Sequence, residues 1–430
     1  MTRADLAARA IADALLDGEW ALEPMVQRLG TTFGARRAWM TKLARRALSL
    51  FPRAPADARD LLARTARTLP GFPAACRARV RHWAIPEPRM GRVRWPVPTI
   101  ETAADLSAWL GVDAAALAVL ADRRGLARDA DPKMRHYTYE WIAKRTGGRR
   151  LLEAPKQRLK AVQRRILHGV LDAIPAHDAA HGFRAGRSVV SFARVHVGAA
   201  LVLRVDLEAF FHSVFAGRVY GIFRGAGYPE DVARTLTALC THRSPRDVLA
   251  GAPRDLVGDR PRSLQRLRTP HLPQGAPTSP ALANLAAFAL DVRLDALARS
   301  WGARYSRYAD DLVFSGRVAQ PQRLVAAIDH IVRDEGFLIA RHKTRLLRAS
   351  TRQEIAGVVV NQKTSVRRDE VDRLRAILHN CARTGPAAQN RDGHPDFRAH
   401  LLGRVAWVEQ VSPDKARRLR ALFDHLRWDT

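Results

Sequence analysis

The chain has 430 residues, with 72 Lys+Arg against 42 Asp+Glu, a formal net charge of +30 and a pI near 11.4. Its 47% hydrophobic content is ample for a large core and excludes global disorder, and no apolar run reaches the length of a membrane span. The surplus of base points to a polyanion, and nucleic acid is the usual one; the arginine-over-lysine bias with abundant alanine suits GC-rich coding but does not explain the excess over acids.

In chain order, residues 1 to about 84 read as short amphipathic helices. Ala4, Ala8, Ile11 and Leu15 share one helical face, and Trp39, Leu43, Ala47 and Leu50 share another. Pro52 and Pro55 interrupt, and a run with Leu61, Leu62 and Leu69 ends at Pro70. Residues 84–98 hold four prolines, the mark of a linker or an extended strap, and a boundary is placed there. Two helices are expected over 101–128. Residues 136–155 predict a hairpin around Thr146-Gly147-Gly148, its turn crowded by Lys144, Arg145, Arg149 and Arg150. A helix follows from Lys156 to Leu171, then a central strand over 200–207. The Pro- and Arg-rich 244–272 reads as an irregular insertion, Leu282 to Leu297 as one helix, and 303–315 as a second hairpin. Helices over about 368–383 and 398–427 close the chain. The result is an α+β body behind an all-helical N-terminal part. The three cysteines, Cys76, Cys240 and Cys381, form no paired metal pattern, and the first residues do not read as a signal peptide, so a reduced bacterial cytoplasm with no membrane partner is expected.

The strongest chemical signal is Tyr308-Ala309-Asp310-Asp311 between β-prone flanks. Adjacent carboxylates at a hairpin tip repel unless a cation stands between them, and hard divalent ions take such oxygens. Asp206, at the end of the earlier apolar strand, supplies a third acid; two strand ends side by side could hold two metals for an in-line phosphoryl transfer. An ordinary acidic turn is the plainer reading of the tetrapeptide alone.

Its neighbours add specificity. Asp206-Leu-Glu-Ala-Phe-Phe-His-Ser, Leu272-Pro-Gln-Gly-Ala-Pro-Thr-Ser-Pro, Tyr308-Ala-Asp-Asp and Gly336-Phe-Leu-Ile-Ala-Arg-His-Lys-Thr stand in the order shared by reverse transcriptases. Through His181-Gly-Phe-Arg-Ala-Gly-Arg-Ser and Ser306-Arg-Tyr-Ala-Asp-Asp-Leu, residues 103 to 430 resemble the bacterial retron reverse transcriptases. Two elements depart from that family's pattern: Phe192 replaces an Asn in the Asn-Ala-x-x-His element that ends at His196, and Ile355-Ala356-Gly357 stands for Val-Thr-Gly. The resemblance implies a right-hand polymerase with an antiparallel palm sheet. Its expected divisions are a helical extension and Pro-rich linker over 1–100, fingers over 101–199, palm over 200–350 with a fingers insertion at about 220–272, and thumb over 351–430.

Matching motif to motif, the resemblance implies that Asp206, Asp310 and Asp311, with the Leu207 carbonyl, hold two Mg2+ ions (Mn2+ being the substitute), and that Lys343 protonates the leaving pyrophosphate, with His342 its competitor. Lys144 and Arg150 would bind the triphosphate of a dNTP, and Gln274 and Gly275 would shape the floor beneath it. Phe211 would be the aromatic gate against a ribose 2′-hydroxyl, with core packing beside Phe210 the alternative. Arg145 and Arg149 are equally well a solvated face. His196 would contact RNA, and Arg373, Arg375, Arg417 and Arg418 would grip an RNA/DNA hybrid by its phosphates. Family resemblance also implies a structured noncoding RNA as template and primer, multicopy single-stranded DNA as product, and an effector protein in anti-phage defence. Two other readings are an RNA- and effector-binding scaffold with dispensable polymerisation, and a mobile-element or other defence-associated reverse transcriptase.

Overall fold

The computed structural model describes residues 2–55, 59–86, 88–144, 147–256 and 260–428. They fall into two units, each assembled from separated stretches of chain: 1–127, 157–174 and 216–240 in the first, and 128–156, 175–215 and 241–430 in the second.

The first unit is helical. Thr2 opens the helix Arg3–Leu16 with a capping box: its hydroxyl accepts from the Asp5 N–H while the Asp5 carboxylate accepts from the Thr2 N–H. At the far end Arg28 donates to the carbonyls of Ala14, Leu15 and Glu19, so a cation meets the negative end of the helix dipole. Ile11, Leu15, Met25, Leu29, Met40 and Leu43 form the core, with the Trp39 ring edge-on to Phe33 at 5.4 Å. Leu50 departs from its expected face and is exposed. The Pro-rich run is a strap and marks no boundary: the Gly91 N–H donates to the Gly227 carbonyl at 2.7 Å. The helices Ala103–Leu110, Ala114–Ala121, Gln157–Gly169, Ala216–Gly225 and Glu230–Cys240 belong with the N-terminal ones, so the chain does not divide near residue 100. None of the described helices is by itself long and apolar enough to cross a membrane.

The second unit carries the strands. β1 (Tyr137–Ala143) and β2 (Arg149–Pro155) form the expected hairpin. β3 (Leu201–Asp206), β4 (Ala303–Tyr308), β5 (Asp311–Gly316) and β6 (Arg345–Arg348) form an antiparallel sheet in the order β4-β5-β3-β6. The short strands β7 (Glu354–Ile355) and β8 (Val358–Val359) flank a turn in which Ala356 and Gly357 both have positive φ, 46° and 84°. Val202 and Val313 share one core with Leu374, Leu378, Leu401, Val405 and Leu419 of the C-terminal helices, which binds the sheet to the end of the chain.

Three expectations are corrected. The 244–272 stretch holds two helices, Arg246–Ala250 and Arg260–Arg268; Leu264 and Leu267 of the second pack toward Trp141 and Leu151 of the hairpin, an apolar stripe hidden by five arginines between 254 and 268. The helix over 282–297 is two, Ser279–Ala286 and Phe288–Ser300, meeting at Ala287. The last helix is also two, Phe397–Val411 and Pro413–Asp424, because Pro413 has no N–H to continue the first and fits the opening turn of the second.

Candidate active site

Strand pairing places the acids. Asp206, last in β3, is opposite Asp311, first in β5, and the β4–β5 turn lifts Asp310 beside them. One bond ties the turn to the end of β3, and two more tie the end of β3 to residues 338–340. The Leu207 N–H donates to the Asp310 carbonyl, the Ala340 N–H to the Asp206 carbonyl, and the Glu208 N–H to the Leu338 carbonyl. Ala309 is held at φ 54°, and Gly182 lies so close that a Cβ there would come within 2.8 Å of the Ala309 nitrogen.

The charges are unevenly paired. Lys343 Nζ lies 2.7 Å from Asp206 Oδ1, and Arg204 Nη2 lies 3.5 Å from Asp311 Oδ1. Burial, then repulsion from Asp206 and Asp311, push the Asp310 carboxyl up to about 6. Burial also raises Asp311, against the opposing pull of Arg204. Three hard oxygen donors that repel one another at the end of a sheet fit a divalent ion of the magnesium type, whose charge would relieve the repulsion that a proton otherwise relieves.

Asp206, Leu207 and Asp310 open onto a cavity of about 890 Å³ that Lys144, Arg150, Phe211, Gln274 and Lys343 also line. Lys144 is lowered from its ordinary value by burial and then by Lys343. Arg149 faces the same cavity, with its N–H bonded to the Asp255 carbonyl; Arg145 lies outside the described residues. The two adjacent phenylalanines separate: Phe210 is buried, 5.7 Å from the Phe337 ring, while Phe211 is half-buried, 6.1 Å from the exposed Phe183. Gly275, at φ 135°, stands behind Gln274; a Cβ there would meet the Glu153 carbonyl at 2.9 Å. The Glu153 N–H donates to the Gln274 carbonyl, which ties β2 to the cavity wall.

His196 is not at this surface. Its ring is fully buried, with Nδ1 2.7 Å from Ser315 Oγ and Nε2 2.6 Å from Ser306 Oγ, so it cross-links β4 and β5 and cannot reach an RNA. Burial holds it neutral, with a pKa of about 3. Phe192, at the departure from the retron pattern, packs edge-on against it. Arg373, Arg375, Arg417 and Arg418 are exposed on the helices Arg368–Thr384 and Pro413–Asp424 and do not line the cavity; Arg375 and Arg417 each meet an acid on their own helix, Asp372 and Asp414.

A brace beneath the turn escaped the sequence reading. Arg307, fully buried, forks onto Asp291 (2.8 and 2.6 Å) and donates to Asn284 Oδ1 and to the Ala309 carbonyl. Tyr305 donates to the same Asp291, and Asn284 to the Gly182 carbonyl. The available signal was Asp291 on the apolar face of its helix, between Leu290 and Leu294.

The chain is similar to known proteins. The family described as reverse transcriptase (RNA-dependent DNA polymerase) matches residues 142–367. The chain is similar to the retron Mx65 reverse transcriptase of Myxococcus xanthus, at 37% identity over 95% of this chain and 92% of that one. It is also similar to the retron Mx162 enzyme of the same organism, at 39% over 68% and 61%, and to the retron Ec86 reverse transcriptase of Escherichia coli, at 30% over 69% and 82%.

Proposed function

We propose, from the premise that this chain belongs to the reverse transcriptases and within them to the bacterial retron type, that its RNA-directed DNA polymerase activity is carried out in the cavity onto which Asp206 and Asp310 open, with Asp311 beside them. Membership implies dependence on a divalent metal; the oxygen-only donor set favours Mg2+, with Mn2+ as substitute. Asp206, Asp310, Asp311 and the Leu207 carbonyl would hold the ions, which supply charge stabilisation for the attacking and leaving oxygens.

The rest is the work of side chains. Arg150 and Lys144 bind the triphosphate, the first as a fork and the second as a point charge. Phe211 blocks a 2′-hydroxyl, and Gln274 supports the base pair from below, held by the Glu153 N–H on its carbonyl. Lys343 gives its proton to the departing pyrophosphate. In this reading the β1–β2 hairpin serves as fingers, the four-stranded sheet as palm, and the helices after Arg367 as thumb. Arg373, Arg375, Arg417 and Arg418 would hold the hybrid through phosphates.

The template is a structured noncoding RNA, the product multicopy single-stranded DNA, and the setting anti-phage defence in the bacterial cytoplasm with an effector protein. The observation that carries the catalytic reading is the register of Asp206 opposite Asp311 with Asp310 on the turn above. Sequencing the nucleic acid that co-purifies with wild type and with Asp310→Asn tests it. A defined RNA joined to DNA in the wild type alone is expected. The same RNA in both and DNA in neither would make the protein a scaffold.

A further inference from the structure

Behind the cavity wall, a second group of ligating side chains is gathered apart from the aspartates. The Glu153 carboxylate is fully buried, with Oε2 2.8 Å from His271 Nε2 and 4.0 Å from His212 Nε2; the three atoms lie within 4.8 Å of one another. His271 Nδ1 is 2.7 Å from the Thr269 carbonyl, which can only accept, so Nδ1 carries a hydrogen. Its Nε2 then confronts a carboxylate oxygen, also an acceptor. A cation must stand between them, and it is either a proton or a metal ion.

His212 separates these two possibilities. Its Nε2 is buried and makes no hydrogen bond among the described residues, yet it faces the same Glu153 oxygen. A proton on His271 leaves that nitrogen without a role, whereas a metal ion would use both imidazoles. The surroundings match those of ligating groups: the Thr269 carbonyl orients His271, and the Ser244 hydroxyl donates to Glu153 Oε1 at 2.7 Å. Tetrahedral ligand atoms around zinc stand about 3.4 Å apart, so the His271 ring would draw back from the 2.8 Å contact with Glu153 and the His212 ring close in from 4.0 Å, each by roughly 0.6 Å. Of the three, His212 lines the 890 Å³ cavity, which marks the side from which an ion would enter.

We infer that Glu153, His212 and His271 form a second metal site, suited to a Zn2+-class ion and chemically distinct from the all-oxygen aspartate cluster. Its ligands come from β2, from the residue after Phe211, and from the run that leads into Gln274. A bound ion would staple together the three segments that shape the nucleotide pocket.

The test is a titration of the tag-free full-length chain, dialysed against metal-free buffer, with Co2+ and Zn2+ in millimolar Mg2+. Expected are one Co2+ per chain with visible absorption of low-coordinate cobalt, displacement by Zn2+ but not by Mg2+, and retention of the signal in Asp310→Asn. His212→Ala, at a partly exposed turn where folding is least at risk, should weaken binding by at least ~10-fold. Absence of stoichiometric Co2+ uptake by the wild type, or uptake unchanged in His212→Ala, would leave a proton as the cation and overturn the site. The readout is metal binding, so it stands whether or not the chain polymerises in the assay.

Discussion

The Lys343 ammonium and the Asp206 carboxylate, 137 residues apart in sequence, meet at 2.7 Å. The residue read as the proton donor thus already neutralises one of the three repelling acids. Two roles, ion pairing and proton donation, are separable by substitution. Lys343→Ala should slow single-turnover extension by ~10²-fold or more. Lys343→Arg keeps a cation beside Asp206 but holds its proton too firmly to give it up, so it should restore little of the rate. Full recovery with arginine, by rapid-quench measurement, would reduce Lys343 to an ion-pair partner.

Asp310 has a cost in stability that its function explains. Its folded pKa of about 6 stands above the ordinary 3.8, so between those values the folded protein keeps a proton that the unfolded chain has released. Stability from this group therefore falls as pH rises from 3.8 toward 6 and stays low above it. In metal-free buffer at pH 7, Asp310→Asn should be more stable than wild type by about 2–3 kcal/mol while losing extension. Thermal melts with and without Mg2+ check this: the ion should raise the wild-type midpoint more than that of the variant. A variant less stable than wild type would contradict the account.

Phe210 and Phe211 should respond in opposite ways. Phe211→Ala should admit ribonucleotides, raising the rNTP-to-dNTP ratio of kcat/KM by ~10-fold or more while leaving folding nearly intact, since opening one site to a hydroxyl is a discrimination effect of a few kcal/mol at most. Phe210→Ala, in the core, should cost about 3–5 kcal/mol of stability with little change in sugar selection. Competition assays and denaturant melts on both variants decide the assignment.

The Asp291–Arg307 pair under the turn should behave as a buried ion pair. Asp291→Asn leaves the guanidinium uncompensated and should cost about 3–5 kcal/mol. Arg307→Met strands Asp291 with the same sign, and the double variant should be less damaged than the sum of the two. Because Arg307 also donates to the Ala309 carbonyl, any folded variant should lose extension rate before it loses affinity for RNA.

The chemistry was legible where residues must recur in a set order along the chain, and less so where their partners are distant. The three acids, the hairpin that lifts Asp310 and the basic β1–β2 hairpin follow from local pattern and motif. Apolar pattern alone does not separate Phe210 from Phe211, and motif position favours Phe211 as the gate; the structure adds that Phe210 is buried against Phe337 while Phe211 is half-buried. His196 was misplaced because its partners, Ser306 and Ser315, are more than a hundred residues away on two strands. The Glu153–His271 contact spans 118 residues and is hidden for the same reason, whereas Asp291 and Arg307 are only 16 apart and the one hint of their brace is the place of Asp291 on an apolar helix face. Helix breaks at Ala287 and Ser412 were missed because apolar periodicity runs on through them.

The most direct measurement is single-turnover incorporation of a dNTP on a primed RNA template, with RNA affinity measured in the same preparations, for wild type, Asp206→Asn and Asp310→Asn. The account predicts Mg2+-dependent extension by the wild type, loss of at least ~10³-fold in both variants, and RNA binding changed by no more than about twofold. Extension that survives either substitution would place the chemistry elsewhere and contradict the assignment of these carboxylates.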